Sequence, residues 1–237
     1  MIASFVQLEL AGASGLPEGR YLAREGEAER VLIVQVLGAR RPSRRGRRRP
    51  RPVDPSEPEE VPVTRMTVSG PVELADPSEG KAWLERVAGD PERRAAEVRS
   101  ATRLINRAMH ALRAGAGDPL VPDVAATRAL AVRIGYGKGE ELAEGRWTEA
   151  RELQQPRRRR LEEVEPQSRV AAVLAERDRV HPAETLLLRA RLDVEQGREA
   201  EARYGLDAAE TALGDDPAPR EQELRKRISE LRERLTR

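Results

Sequence analysis

The sequence predicts an α+β fold, in which a small N-terminal antiparallel β-sheet is followed by a mainly α-helical C-terminal half. Three features lead to this prediction: short β-branched apolar runs before residue 70, an apolar stripe at helical spacing after residue 90, and a helical pattern from residue 167. A stretch rich in arginine and proline interrupts the N-terminal runs. Because it offers almost nothing to bury, we expect a disordered loop over residues 38–60.

The N-terminal runs predict a hairpin and a further strand. Residues 3–10 alternate loosely between apolar and polar side chains, and residues 19–24 and 30–37 flank an acidic segment that contains glycine. The run 30–37 is apolar, β-branched and too short for a typical helix, so we expect it to be a central strand. Residues 61–68 predict another strand of the same sheet, which makes the arginine-rich stretch a loop between strands rather than a tail.

The clearest helix signal is the tripeptide Asp-Pro-Glu at residues 90–92. It combines an N-cap residue, a proline at the first helical position and an acid near the positive end of the helix dipole. Apolar side chains then recur at helical spacing as far as Leu112, and Gly115 and Gly117 end the pattern. These features predict one long amphipathic helix.

Two shorter elements surround this helix in the sequence. Ser78 is the candidate cap of a short helix that carries Trp83 inward. Residues 129–136 are typical of a strand, and the glycine-rich stretch 135–139 with Gly145 predicts a hairpin-like unit between the helices.

The sequence predicts helices throughout the C-terminal part. A helix over residues 168–180 is predicted to turn Val170, Val173 and Leu174 inward, with Val180 as a further candidate, and His181-Pro182 ends it. Residues 183–196 and 198–213 predict a helix pair around Gly197, and residues 221–235 a last, highly charged helix.

These elements define the expected domain organisation. The expected regions are a small β-rich domain at 1–76 with the loop 38–60, a helical segment with a β-hairpin-like insertion at 77–155, a basic linker at 156–166, and a helical hairpin with a charged C-terminal helix at 167–237.

The composition excludes several classes of protein. Without cysteine the chain has no disulfide framework, cysteine zinc site or thiol nucleophile, and its two histidines make no His-rich metal site. No apolar run approaches the roughly 20 residues that a membrane helix needs, and the N-terminus lacks the basic region of a secretory signal. We therefore expect a cytoplasmic protein that has no membrane partner and no cofactor.

Charge is segregated along the chain. Lys+Arg total 43 and Asp+Glu 41, a formal charge of +2. Residues 40–51 hold eight arginines and no acid, and residues 157–160 hold four more; without these twelve, 31 basic residues face 41 acidic ones, a balance of −10. The excess positive charge therefore lies in two short runs on an otherwise acidic chain.

The arginines of the first run are candidate polyanion-binding residues, because guanidinium groups fit phosphates. They are Arg40, Arg41, Arg44, Arg45, Arg47, Arg48, Arg49 and Arg51. The alternative is a solvated low-complexity loop. Arginine bias is what a GC-rich genome imposes, and no aromatic residue lies among these arginines to stack on bases.

The remaining motifs do not define a catalytic site. The stretch Gly-Tyr-Gly-Lys-Gly-Glu at 135–140 superficially resembles a phosphate-binding loop, but Lys138 is followed by Gly139 rather than by a hydroxyl residue, so we expect a turn between strands. His110 is expected on the face of the long helix, and His181 is a candidate cap at a helix boundary. No acid pair or Ser-His-Asp order is localised enough to name catalytic residues.

The C-terminal helix pair resembles a tetratricopeptide unit over residues 183–216. It has a small residue on the first helix at Ala190 and a glycine at the turn, and small and large residues follow in order on the second helix. The positions where that family has large apolar or aromatic residues hold Arg189 and Asp193, and no second copy lies in register. A generic helical hairpin is therefore favoured over a peptide-binding repeat array, which needs about three repeats.

The chain as a whole is similar to uncharacterised Arg/Ala-rich proteins of high-GC actinobacteria. The similarity lies in residues 30–39, 104–111 and 132–140. It implies a bacterial cytoplasmic origin and carries no activity or site residues.

These observations favour a non-enzymatic protein that mediates protein–protein interaction or scaffolding, because amphipathic helices and a helix pair suit packing against a protein partner. The alternative is a nucleic-acid-associated protein that uses residues 40–51 as an electrostatic arm. A third hypothesis is an enzyme with a site assembled from scattered residues. One pocket that gathers His110, Tyr136 and Lys138 with acids would favour it.

Overall fold

A computed structural model of the chain describes residues 2–25, 28–38, 61–154, 164–214 and 219–236. The loop expected over residues 38–60 lies outside the described residues, apart from Gly38. Most of the basic linker expected over residues 156–166 lies outside them as well.

The described residues form six strands and seven α-helices. In chain order they are β1 Ile2–Ala11, β2 Gly19–Glu25, β3 Ala28–Leu37, β4 Val63–Leu74, α1 Pro77–Gly89, α2 Pro91–Ala116, β5 Ala131–Lys138, α3 Gly139–Ala143, β6 Glu149–Glu152, α4 Val164–Leu174, α5 Pro182–Glu195, α6 Glu199–Leu213 and α7 Pro219–Leu235. The predicted α+β class is confirmed, because an N-terminal antiparallel sheet precedes a helical C-terminal half.

The chain divides into two compact units, which we call the sheet unit (Met1–Pro156) and the helical unit (Arg157–Arg237). The sheet unit carries all six described strands, and the helical unit carries α4 to α7. The sequence separates residues 1–76 from residues 77–155, whereas in the structure β5 pairs with β1 from Ile2 to Glu9. Both regions therefore build one sheet.

The sheet has the strand order β2-β3-β4-β1-β5-β6, and all neighbouring strands are antiparallel. The hairpin of β2 and β3 and the strand β4 beside it are as predicted. Alternate side chains of the central strands, such as Leu8, Leu32 and Met66, are completely buried in the core that α1 and α2 complete. We call this side of the sheet the helix-covered face.

Both helices on that face begin at an Asp-Pro pair. The Asp90 carboxylate accepts hydrogen bonds from two backbone N–H groups of the first turn of α2, at 2.9 and 3.1 Å, which confirms the predicted cap. Helix α1 begins at Asp76, which accepts from the Glu79 N–H at 2.9 Å. The prediction that Ser78 caps this helix is therefore wrong by two residues. The Asp-Pro pair at residues 76–77 marks the start of α1, as the pair at residues 90–91 marks the start of α2.

The helical unit has its own core around the α5–α6 pair. Leu206 and Ile228 are completely buried there, and Ala190 on α5 packs closely against Gly205 on α6. His181 caps α5 as expected, because its Nδ1 accepts the Ala183 N–H at 3.2 Å.

Helix α4 differs from the prediction. It ends at Leu174, and Val170 and Leu174 are 56% and 79% exposed, so the inward orientation expected for them is wrong. The physical reason is that, within the described residues, the core of the helical unit is built by α5, α6 and α7 and includes no side chain of α4. Arg169 of α4 pairs with Glu184 on α5.

Candidate functional site

The second face of the sheet, opposite α1 and α2, is only partly covered. Helix α3 and the segment after it lie on this face, where Leu142 is buried with Phe5 and Ile33. The Trp147 ring lies 6.0 Å from the Phe5 ring, centroid to centroid. These contacts form a small second core and leave the remainder of the face, which we call the open face, without a described helix of the sheet unit.

A polar network ties the central strands together on the same side of the sheet. The Glu9 carboxylate accepts a 2.9 Å hydrogen bond from Arg65 and lies 2.9 Å from a nitrogen of Arg133. Gln7 donates to Thr67 at 3.0 Å and accepts from Arg133 at 3.2 Å. Burial by itself raises the pKa of Glu9, but the hydrogen bonds and positive charges of the two arginines outweigh it and lower the pKa below 4.5.

The open face forms a groove of about 1080 Å³. Four apolar residues of strands β1, β2 and β3 line it, and we call them its floor: Ala3, Leu22, Ala28 and Val31. Leu22 is 59% exposed. An open channel with an apolar floor is the kind of surface on which another chain can dock.

Four carboxylates line the groove against one ammonium group. Glu29, Glu73, Glu140 and Glu141 come from β3, β4 and α3, and Lys138 lies 3.7 Å from Glu141. Glu29 also pairs with a well-exposed arginine of β2 at 3.1 Å. The groove is therefore apolar at its floor and net negative along its walls.

Glycines of β5 position the strands beside the groove. A β-carbon at Gly135 would lie 2.3 Å from the Glu149 carbonyl oxygen, so β6 approaches β5 at a distance that only glycine allows. Gly135 and Gly137 lie within β5, and Gly139 begins α3. The turn expected over residues 135–139 is therefore wrong. Gly135 is needed because β6 lies close to β5 at this position, not because the chain turns there.

In the described part of the chain, His110, Tyr136 and Lys138 do not meet in one pocket. Lys138 lines the groove, whereas Tyr136 is buried on the helix-covered face and His110 lies on α2. The Tyr136 hydroxyl donates to Glu149 at 3.2 Å; burial and the Glu149 carboxylate both raise the pKa of Tyr136. Within the described ranges, no group of three or more histidine or acidic side chains is arranged to hold a metal ion.

Two further expectations concern the arginine run and the membrane. The arginines from Arg40 to Arg51 lie outside the described residues. None of the helices that the structure describes combines the length and apolar character needed to cross a bilayer.

Sequence reasoning singled out Lys138, Gly139 and Glu140 only as part of a glycine-rich stretch and missed the other residues of the groove. Ala3, Glu73 and Glu140 are distant in the chain and meet because β1 lies between β4 and β5. Ala3 is directly opposite Glu73 in the β1–β4 register. A non-local strand order leaves no local pattern, so no sequence signal could have found this set.

Comparison of the chain with protein-family models, curated proteins and solved structures found no match. The resemblances to the tetratricopeptide unit and to the Arg/Ala-rich actinobacterial proteins therefore stay predictions.

Proposed function

We propose that the protein is a non-enzymatic docking module that mediates protein–protein interaction through the groove on its open face. The observation that supports the proposal best is the apolar floor of a groove of about 1080 Å³. A single exposed leucine is ordinary on a protein surface, but several apolar side chains in one channel are typical of surfaces that bind another chain. A partner that covers Leu22 removes apolar area from water.

Site-specific photo-crosslinking in the source organism tests this proposal. We expect p-benzoylphenylalanine at Leu22 to give a discrete adduct with one protein, because Leu22 lies on the floor of the groove. The matched control carries the same group at Glu85, an exposed position of α1 on the opposite side of the sheet. The identified partner should bind the purified protein, and the substitution Leu22→Asp should weaken that binding.

The proposal would be overturned in two ways. Either no adduct is specific to Leu22, or the partner binds the Leu22→Asp variant as tightly as the unaltered protein. Circular dichroism of the variant, whose altered side chain is exposed, verifies that the fold is retained.

A second candidate function is association with nucleic acid, and the segregation of charge favours it. Eight arginines and no acid lie within residues 40–51. If each contacts a phosphate, affinity should fall steeply with salt. Deleting residues 40–52 should then abolish binding of DNA and RNA in an electrophoretic mobility assay, and replacing the eight arginines by lysine should retain it. Unchanged affinity after the deletion would contradict this function.

A further inference from the structure

We infer that the groove on the open face takes a basic peptide, that is, an extended segment of another protein in which arginine or lysine alternates with apolar residues. The inference rests on the proposed function, because it names the partner of the same groove. Three observations support it: the charge of the groove walls, the apolar floor and the openness of the channel to solvent.

The first observation is that the wall carboxylates exceed the cations that could neutralise them. Within the described part of the chain, Glu73 and Glu140 make no ion pair, and Lys138 already has Glu141 as its partner. Arg24 neutralises the charge of Glu29, so the net negative charge of the groove comes from Glu73 and Glu140. Since charges of one sign along a cleft focus the field in it, the groove attracts cations and repels phosphates and acidic peptides.

The second observation is that apolar residues line the same groove as those carboxylates. Ala3, Ala28 and Val31 lie on the floor with Leu22. Arginine and lysine suit such a channel, because their aliphatic stems cover apolar surface while their charged ends reach carboxylates at the rim. In an extended peptide, successive side chains point to opposite sides. Apolar residues at every second position can therefore all face the floor.

The third observation concerns size. An open volume of about 1080 Å³ is larger than most small-molecule sites need, and the groove is bounded by separate strands and by the start of α3. A polymeric ligand fills such a channel without having to be enclosed. A basic peptide matches the charge of the groove, its floor and its open volume together.

Fluorescence anisotropy with the full chain tests the inference. The probe is a fluorescein-labelled dodecapeptide of alternating arginine and valine, and the control peptide has glutamate in place of arginine. We expect the arginine peptide to bind and the glutamate peptide not to bind. The double variant Glu73→Lys/Glu140→Lys should weaken binding about ten-fold at low salt, because two attractions become two repulsions of a few tenths of a kcal/mol each.

The matched control is Glu85→Lys/Glu230→Lys, which changes the net charge equally at two exposed positions that do not line the groove. It should leave the affinity within about two-fold. The inference is overturned if the two double variants bind the arginine peptide equally, or if the glutamate peptide binds as well as the arginine peptide.

The outcome separates this inference from the proposed function. If the arginine peptide fails to bind while the Leu22 photo-adduct persists, the groove docks a partner of different chemistry and only the inference fails. If the peptide binding and the photo-adduct are both absent, the proposed function fails as well.

Discussion

At Glu9, burial and ion pairing oppose each other, and the ion pairs prevail. The carboxylate lies between the guanidinium groups of Arg65 and Arg133 on neighbouring strands. Its pKa in the folded protein is below 4.5. A group whose folded-state pKa is lowered contributes stability above its unfolded pKa, and this contribution disappears as the pH falls through the folded pKa.

We therefore predict that Glu9→Gln lowers the free energy of unfolding at neutral pH, and that the difference from the unaltered protein shrinks below pH 4.5. Urea unfolding followed by tryptophan emission at about pH 7 and about pH 3.5 measures both values. A control variant, Glu85→Gln, changes an exposed carboxylate elsewhere and should show no comparable change. A constant difference for Glu9→Gln at both pH values would contradict this account.

At the scale of elements, a glycine sets the distance between α1 and the sheet. A β-carbon on Gly80 would lie 2.5 Å from a ring carbon of Tyr136, and the Tyr136 side chain is only 3% exposed. The ring lies against the helix backbone and is too enclosed to move aside. Contact between α1 and β5 thus depends on the absence of a side chain at this position.

We predict that Gly80→Ala destabilises the sheet unit by about 1–3 kcal/mol, because it overpacks the contact with Tyr136. Gly89→Ala on the same helix is the matched control, since a β-carbon there meets nothing within 4 Å. That control should be neutral or slightly stabilising, because alanine favours helix over glycine. Urea unfolding of the two variants measures the contrast, and equal effects would refute the explanation.

At the scale of the whole molecule, each unit has its own core. The core of the helical unit contains Leu206 and that of the sheet unit contains Leu8, both completely buried. Both tryptophans, Trp83 and Trp147, belong to the sheet unit. Tryptophan emission therefore reports on one unit, while far-ultraviolet circular dichroism reports on both.

We predict that Leu206→Ala destabilises the helical unit by about 2–5 kcal/mol and leaves the tryptophan-detected transition where it is. The circular dichroism transition should then begin at lower urea than the emission transition. Leu8→Ala should instead shift the emission transition. If Leu206→Ala shifts both signals together, the two units unfold as one.

The sequence predicted the elements that carry local signals and missed the contacts that depend on tertiary structure. Residues 30–37 and the cap at Asp90 were predictable because strand propensity and capping act within a few residues. The glycines of β5 were misassigned to a turn, since their reason is the approach of β6. Leu174 is exposed because α4 contributes no side chain to the core that the structure describes in the helical unit, and helical periodicity does not encode where a helix packs.

The position of β1 has a consequence for synthesis on the ribosome. Its two neighbours begin only at Val63 and Ala131, so β1 is translated before either of them. Until β5 has been translated, a nascent chain presents one side of β1 with unpaired backbone groups, and such an edge is prone to aggregate. Pairings that join distant segments also form slowly. The sheet unit is thus completed late in translation, and its first strand must be kept from wrong partners until then.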